Sequence, residues 1–446
     1  MPNRNLAGSG ILLWRWFVHR RLRTSLPVAR RRAATGLGAV ALALAALAFS
    51  KSADLAMAVS ARLFAAVPWL PIVMTPAIFA AVAFATNRWA GESRGSGIPQ
   101  IIAASRDPNS GFAARLASMK IAVSKVLLTL LMLVGGASVG REGPTVQVSA
   151  AMMVWFHRLL KVPITAGVLI AGGAAGVAAA FNTPLAGVAF AIEELAAAYE
   201  QRVALLVMVA VMISGLVMIG ISGDYVYFGV LRGTLDLRQT LLIAPVMGIA
   251  GGLSGGLFSQ LVLGFTRSRR GWMGALKRRP ILFAAGCGLI VAGLGTASGG
   301  TTWGTGYAPA RYLIEGGHLG AWFGPAKFFA SIFTTLSGTP GGIFSPSLAV
   351  GAGLGNAMAG LFAAPSAAIV LLGMAGYFVG VVRAPFTAVI VLMETTAGRS
   401  MILPLFATAL IADAVSSLIC RERIYHGLSR SFAPQRETGV ANPRKS

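Results

Sequence analysis

Apolar runs recur along this 446-residue sequence, and they restrict the folds that it can adopt. Residues 70–88 and 203–222 are two such runs, and an α-helix needs about 20 residues to cross a hydrocarbon core. The runs lack the strict alternation of transmembrane β-strands. Only 12% of the residues are charged, whereas soluble domains carry about a quarter. The sequence therefore predicts an all-α, polytopic integral membrane protein in contact with lipid.

The basic residues are concentrated beside the apolar runs. The net charge is +24, and its clusters lie in residues 1–32, in residues 267–279 and from residue 421 onward. Basic clusters that flank membrane spans mark the cytoplasmic side. We therefore expect both termini and the central basic cluster to be cytoplasmic, and we expect no nucleic-acid partner.

The central basic cluster divides the apolar sequence into two halves. In both halves some apolar segments, such as residues 163–182 and 386–396, are too short to span the membrane and stop at Gly or Pro. Such interruptions favour a transporter of two inverted-topology halves with tilted and broken helices and a site near the membrane midplane. The predicted parts are a basic cytoplasmic segment (1–32), a transmembrane domain (33–430) with halves of about 33–265 and 280–430 joined by a basic loop (266–279), and a cytoplasmic tail (431–446).

Three loops bracketed by Gly and Pro carry polar groups into apolar surroundings. They are residues 95–99 (GSGIP), 140–144 (GREGP) and 342–346 (GIFSP). Each pattern predicts a turn and then a helix with Pro in its first turn. The free N–H groups and partial positive charge of a helix start can hold an anion weakly enough to release it again. One such loop alone is compatible with a structural turn, whereas three together favour an anion pathway.

Two charged pairs interrupt the apolar sequence. Arg141 and Glu142 lie in the second loop, and Glu193 and Glu194 lie at the end of an apolar segment. Ionisable residues at membrane depth are costly and are functional candidates by default. The alternatives are a structural salt bridge for Arg141 and a membrane-boundary role for the glutamate pair.

In this order, the loops GSGIP, GREGP and GIFSP resemble the three signature loops of the CLC family of chloride channels and chloride/proton antiporters. Tyr425 completes the family's set, and the resemblance covers roughly residues 35–430. It implies chloride/proton exchange by a homodimer with a separate pathway in each subunit. It also implies a bacterial inner membrane and the absence of the C-terminal regulatory domains of many eukaryotic relatives.

The resemblance also implies roles for individual residues. Ser96 and Tyr425 would donate hydroxyl groups to a central chloride, beside the backbone amides of Ile343 and Phe344. A serine at position 96 accompanies chloride preference in this family. The resemblance implies that Glu142 is the external gate and proton acceptor and that Glu194 is the internal proton-transfer group. Lys125 would be a buried lysine that makes the pore more positive. The supporting positions would be Gly95, Gly97, Arg141 and Gly143.

Other functions remain as alternatives at this point. A passive voltage- or pH-gated chloride channel would share the anion ligands but lack proton coupling through Glu194, and an organic-anion transporter would carry a carboxylate. Residues 136–140 match the GxSxG pattern of serine hydrolases. That pattern needs a preceding strand and a nearby histidine and acid. The four histidines lie in charged, Gly-rich or terminal stretches, so we expect no enzyme activity and assign Ser138 to helix packing.

The remaining polar and sulfur-containing residues suggest little chemistry. Cys287 and Cys420 are the only cysteines and both have apolar neighbours, so we expect neither a metal site nor a disulfide framework, and no cofactor. Glu394 is expected to be structural or part of a polar network. Asp413 has no predicted role.

Overall fold

The computed structural model describes residues 6–195, 201–223, 225–268 and 271–432, without the side chains of residues 6–25, 201, 202 and 272. These described residues form 19 α-helices and no β-sheet, with only two isolated β-bridges. The all-α prediction is therefore confirmed.

In chain order the first nine helices are α1 (Leu6–Ala66), α2 (Leu70–Trp89), α3 (Ile98–Arg106), α4 (Gly111–Leu116), α5 (Met119–Val134), α6 (Glu142–Leu159), α7 (Ala166–Phe181), α8 (Pro184–Phe190) and α9 (Gln201–Ser222). The other ten helices of the described chain are α10 (Leu237–Arg267), α11 (Gly271–Arg278), α12 (Pro280–Ala297), α13 (Tyr307–Ile314), α14 (Phe323–Leu336), α15 (Phe344–Ala359), α16 (Ser366–Val382), α17 (Pro385–Thr396), α18 (Ile402–Ile419) and α19 (Ile424–Ser429).

Long spans and short interrupted helices alternate along the chain. Among the described residues, six helices are long and apolar enough to cross a membrane. The predicted runs at 70–88 and 203–222 lie in two of them, α2 and α9. The short segments predicted at 163–182 and 386–396 correspond to α7 and α17, of 16 and 12 residues. A helix this short does not cross the full hydrocarbon core, and its ends lie inside the protein.

The two halves repeat the same local structure. Helices α7 and α16 end at left-handed residues, Asn182 with φ 57° and Arg383 with φ 62°. In each half a helix that begins with proline follows two residues later, at Pro184 or Pro385. The left-handed residue ends the first helix, and the proline suits the first turn of the next.

A reciprocal pair of carboxylates then joins the halves. The carboxylate of Glu394, at the end of α17, accepts hydrogen bonds from the N–H groups of Leu185 (3.2 Å) and Ala186 (2.8 Å) at the start of α8. Glu193, just after α8, accepts hydrogen bonds from Phe386 (3.1 Å) and Thr387 (2.7 Å) at the start of α17. Each half thus caps a helix of the other, as a two-fold relation between inverted halves requires. The expectation that Glu394 is structural agrees with this contact.

Glycine permits the central helices to pack closely. An added Cβ on Gly251 or Gly255 of α10 would collide with the α16 backbone at Gly376 or Gly380. Small residues at helix contacts are the usual means of close packing inside membranes. Helices α7 and α16 are buried along nearly their whole length and pack against α6 and α15, the helices that begin in the second and third loops.

The predicted basic loop 266–279 is partly helical, because eight of its residues form α11. The Lys277 ammonium group donates to the carbonyls of Thr266 (3.0 Å) and Ser268 (2.6 Å), which ties α11 to the end of α10. Helix α1 continues through the predicted boundary at residue 32. The predicted tail 431–446 lies outside the described residues except for Ser431 and Phe432.

Replacing Glu394 by Ala should destabilise the protein. Two N–H groups of α8 would lose a charged acceptor, at a cost of about 2–3 kcal/mol. Glu315→Ala is the matched control, because Glu315 pairs with Arg311 at the exposed surface. Thermal unfolding in detergent should show a lower midpoint for Glu394→Ala only; equal midpoints would contradict the capping role.

Candidate anion and proton pathway

The three signature loops meet in space through backbone hydrogen bonds. The Gly95 N–H donates to Thr339 O (3.3 Å), and the Gly341 N–H donates to Gly95 O (3.1 Å). Gly140 and Gly342 exchange both of their hydrogen bonds, at 2.7 and 2.9 Å. The second loop is therefore joined to the third, and the first loop is joined to the residues just before the third.

Three helix N-termini converge at this junction. Helices α3, α6 and α15 begin at Ile98, Glu142 and Phe344, each with proline in the first turn, so the predicted turn-then-helix pattern is confirmed. Gly97 has φ 112°, and a Cβ there would lie 2.5 Å from the carbonyl oxygen of Gly143. Glycine is therefore required where the first two loops touch. The first-turn N–H groups of the helices supply partial positive charge at one place.

The predicted chloride ligands lie at this junction, and all are buried. Apart from each other, the hydroxyls of Ser96 and Tyr425 have no hydrogen-bond partner within the described part of the chain. Helix α19 packs against α3, which brings Tyr425 close to Ser96. The backbone of Ile343 and Phe344 forms the start of α15 beside them. Two neutral hydroxyl donors and a helix start suit an anion of low charge.

Gly143 is required by the position of Ser96. A Cβ at Gly143 would collide with Ser96 Oγ and would lie 3.2 Å from Gly342 Cα. The absence of a side chain at position 143 therefore lets all three loops approach one another.

The predicted gate, Glu142, is buried at the start of α6. Its Oε1 accepts a hydrogen bond of 2.6 Å from the hydroxyl of Ser345 in the first turn of α15. Its Oε2 lies next to Gly140, where a Cβ would be 2.5 Å away. The carboxylate thus occupies the space between the second and third loops, where the helix starts also favour a negative charge.

Arg141 forms its hydrogen bonds with groups other than this carboxylate. Its guanidinium donates to Asp54 (2.7 Å), to the carbonyl of Ser50 (3.0 Å) and to the hydroxyl of Tyr227 (3.2 Å). It also lines a cavity of about 500 Å³ with Lys51, Asp54 and three tyrosines. These contacts support the salt-bridge alternative, in which Arg141 anchors the second loop to α1.

Lys125 is fully buried and binds the first loop. Its ammonium group donates to the carbonyls of Ser93 (2.7 Å) and Gly95. In the second half, Lys327 donates in the same way to Thr302 (2.9 Å) and Gly304 (2.8 Å). Both lysines thus hold carbonyls two residues apart before a short helix, α3 or α13. The repetition indicates that a lysine clamp is part of the fold in both halves.

A cavity of about 770 Å³ reaches the first and third loops from the side that carries Lys277. Ser96 and Ile343 line its inner end, and the exposed side chain of Arg94 lies in its wall. The sequence reasoning missed Arg94, although it directly precedes GSGIP. Cations in such a vestibule favour the entry of anions.

Glu194 lies in a single π-helical turn, Ala191–Leu195, and is fully buried. Neither carboxylate oxygen has a hydrogen-bond partner within the described residues, but His426 Nε2 lies 3.7 Å from Oε1. The sequence reasoning set the histidines aside. The signal it overlooked is the position of His426 directly after Tyr425.

Ser138, from the GxSxG pattern, contacts helix α14. Its hydroxyl pairs with that of Ser331 at 3.0 Å, and its N–H donates to Thr334 Oγ1 at 3.3 Å. These contacts agree with the packing role.

Comparison with known proteins identifies the family. Residues 78–417 match the profile of the family described as "Voltage gated chloride channel". The chain is 31% identical over 376 residues to the H(+)/Cl(-) exchange transporter ClcA of Yersinia pestis, with coverage of 79% of this chain and 76% of the relative. It is 30% identical to ClcA of Cronobacter sakazakii, with coverage of 82% and 81%. The chain belongs to the CLC family.

Solved structures support the same fold. A slow cyanobacterial Cl-/H+ antiporter aligns with a TM-score of 0.78 and 22% identity over 91% of this chain and 99% of its own. A eukaryotic CLC transporter aligns with a TM-score of 0.72 and 22% identity, and the alignment covers 91% of this chain and 74% of that transporter. A CLC-type fluoride/proton antiporter aligns with a TM-score of 0.73 and 20% identity, and the alignment covers 89% of this chain and 98% of that antiporter. The inverted-half fold of a multi-pass membrane protein is therefore confirmed.

The two lysine clamps provide a matched pair of variants. Lys125→Met and Lys327→Met should both lower the thermal unfolding midpoint, because each leaves two buried carbonyls without a charged donor. Only Lys125→Met should weaken chloride binding in calorimetry, since only its loop carries the predicted ligand Ser96. Equal losses of chloride affinity in the two variants would contradict this assignment.

Proposed function

We propose that this chain exchanges chloride for protons across a membrane. The observation that carries the proposal is a buried junction of three helix starts that holds two hydroxyl donors and the carboxylate of Glu142. Tyr425 lies within electrostatic range of both Glu142 and Glu194. The names of the ClcA relatives support exchange rather than passive conduction.

Chloride reaches the site through the vestibule that contains Arg94. At its inner end the anion accepts hydrogen bonds from Ser96, Tyr425 and the first-turn amides at Ile343 and Phe344. Hydroxyls and amides bind a halide without burying a full positive charge beside it. Binding therefore stays weak enough for release, as transport requires.

Glu142 is the gate and the proton acceptor on the other side of the site. As a carboxylate it occupies the position between the second and third loops and excludes chloride from it. Protonation neutralises the side chain, so its attraction to the helix starts falls and an anion can replace it. Arg141 and Lys125 act as supports that hold the loops in place.

Glu194 transfers protons on the opposite, cytoplasmic side. Its side chain is fully buried, and Nε2 of the half-buried His426 lies 3.7 Å from its Oε1. A small rearrangement or a water molecule would let the two groups exchange a proton. Tyr425 lies beside this path. The neighbouring Glu193 is engaged in capping α17 and is not assigned a proton role.

The setting of the protein is part of the proposal. We place it in a bacterial inner membrane as a homodimer, with residues 1–32, 266–279 and 431–446 on the cytoplasmic side of the domain 33–430. Large apolar side chains are exposed on α9 and α18, for example Leu205 and Leu418. Lipid or a second subunit would cover such a surface.

Variants of the two carboxylates should separate the gate from the proton path. Glu194→Gln should abolish chloride-driven proton movement in liposomes while chloride flux stays dependent on pH, because the gate is intact. Glu142→Ala should abolish proton movement and also make chloride flux independent of pH.

Asp107→Asn is the control for both variants, because Asp107 is an exposed acidic residue whose carboxylate forms no salt bridge with another described residue. It should keep coupling at the level of the unmodified protein. Proton movement that persists in Glu194→Gln would rule out the assigned internal path and favour another proton route.

A further inference from the structure

We propose that Ser345 is a ligand of the outer anion site, which is defined here as the position that the Glu142 carboxylate occupies. Its hydroxyl donates to the carboxylate while the gate is charged, and to the transported halide once the gate is protonated and has moved. This role rests on the proposed function and extends it to a residue outside the implied set.

The contact is short and isolated from water. Ser345 is 2% exposed and Glu142 is 1% exposed, and their oxygens are 2.6 Å apart. This distance is typical of a hydroxyl that donates to an ionised acceptor. The backbone nitrogen of Ser345 lines the same space, because a Cβ on Gly140 would contact both this nitrogen and Glu142 Oε2.

The direction of the hydroxyl distinguishes Ser345 from its neighbour on the same helix. Ser347 is also buried, but its hydroxyl donates to the carbonyl of Ile343 at 2.7 Å within α15. Serine in a helix commonly bonds to the preceding turn in that way. The Ser345 hydroxyl instead points out of α15 to a residue 203 positions away.

A change of acceptor follows from the chemistry of the site. When the protonated gate leaves, the buried hydroxyl loses its acceptor, which is unfavourable. A halide carries the same charge as the lost carboxylate and accepts the same hydrogen bond. Ser345 therefore favours replacement of one anion by the other over an unoccupied outer site.

Other groups around the gate remain in place if Ser345 is changed. Arg141, Tyr227 and Tyr425 are among the charged or titratable groups within electrostatic range of Glu142. None of them depends on the Ser345 hydroxyl for a hydrogen bond given by the structure. A change caused by Ser345→Ala therefore reports on the hydroxyl.

The first test is the pH profile of chloride efflux from proteoliposomes with equal pH on both sides. Ser345→Ala removes a donor that favours the charged gate, so the gate is protonated more readily and the pH of half-maximal efflux should rise by about one unit. Ser345→Thr keeps a hydroxyl and should retain the original profile. Ser347→Ala should also retain it.

The second test measures halide binding without the competing carboxylate. In a Glu142→Ala background, calorimetry with chloride should show about 5- to 10-fold weaker outer-site binding after Ser345→Ala, and no such loss after Ser347→Ala. If Ser345→Ala does not yield folded protein, Ser345→Cys serves in both tests, because a thiol is of similar size and a weaker donor.

The outcomes separate this proposal from the proposed function. An unshifted pH profile with active protein overturns the contact with the gate, and a shifted profile with unchanged halide binding overturns the ligand role. Absence of chloride flux in the unmodified protein contradicts the proposed function itself, independently of either Ser345 result.

Discussion

The paired hydrogen bonds between Gly140 and Gly342 are the constraint on which the site depends. They place the starts of α6 and α15 side by side, although these helices belong to opposite halves. A Cβ on Gly342 would lie 3.0 Å from Gly140 O and 3.1 Å from Gly143 N, so a larger residue would push the loops apart. Because the helix starts touch, their partial positive charges act on one buried point and hold Glu142 against Ser345.

The inverted repeat explains how such a junction remains stable inside a membrane. Short helices end within the protein, where their free N–H and C=O groups need partners. Glu394 accepts hydrogen bonds from the start of α8, and Glu193 accepts them from the start of α17. Lys125 and Lys327 donate to equivalent carbonyl groups in the two halves. Of the two lysine-held loops, only the first carries a predicted chloride ligand, Ser96. The fold thus contains the same lysine clamp twice, and the proposed anion site uses one of the two.

The local parts of this architecture could be predicted from the sequence. Apolar runs identified α2 and α9, and the Gly/Pro loops identified the starts of α3, α6 and α15, because these features depend on neighbouring residues. The resemblance added roles for Ser96, Tyr425, Glu142 and Glu194, which stay predictions for those residues. The structure brings the first three to one junction, and Glu194 lies within electrostatic range of Tyr425.

Contacts between distant parts of the chain could not be predicted in this way. Nothing near Arg141 indicates Asp54 as its partner, and nothing near Glu142 indicates Ser345. His426 was set aside because its own surroundings are charged, whereas its contact with Glu194 arises only when α19 packs beside the first half. The helical part of the basic loop was also missed; in the structure Lys277 holds it to the end of α10.

Coupling between the two ions is the central claim, and uphill proton movement tests it most directly. Purified protein is placed in liposomes with a chloride gradient and no initial proton gradient, and the internal pH is followed with a fluorescent dye. The membrane potential is controlled by a potassium ionophore. The proposed exchange predicts that chloride flowing down its gradient drives protons in the opposite direction, against the proton gradient that develops. Chloride flux of normal size without proton movement would contradict exchange and identify a passive chloride channel.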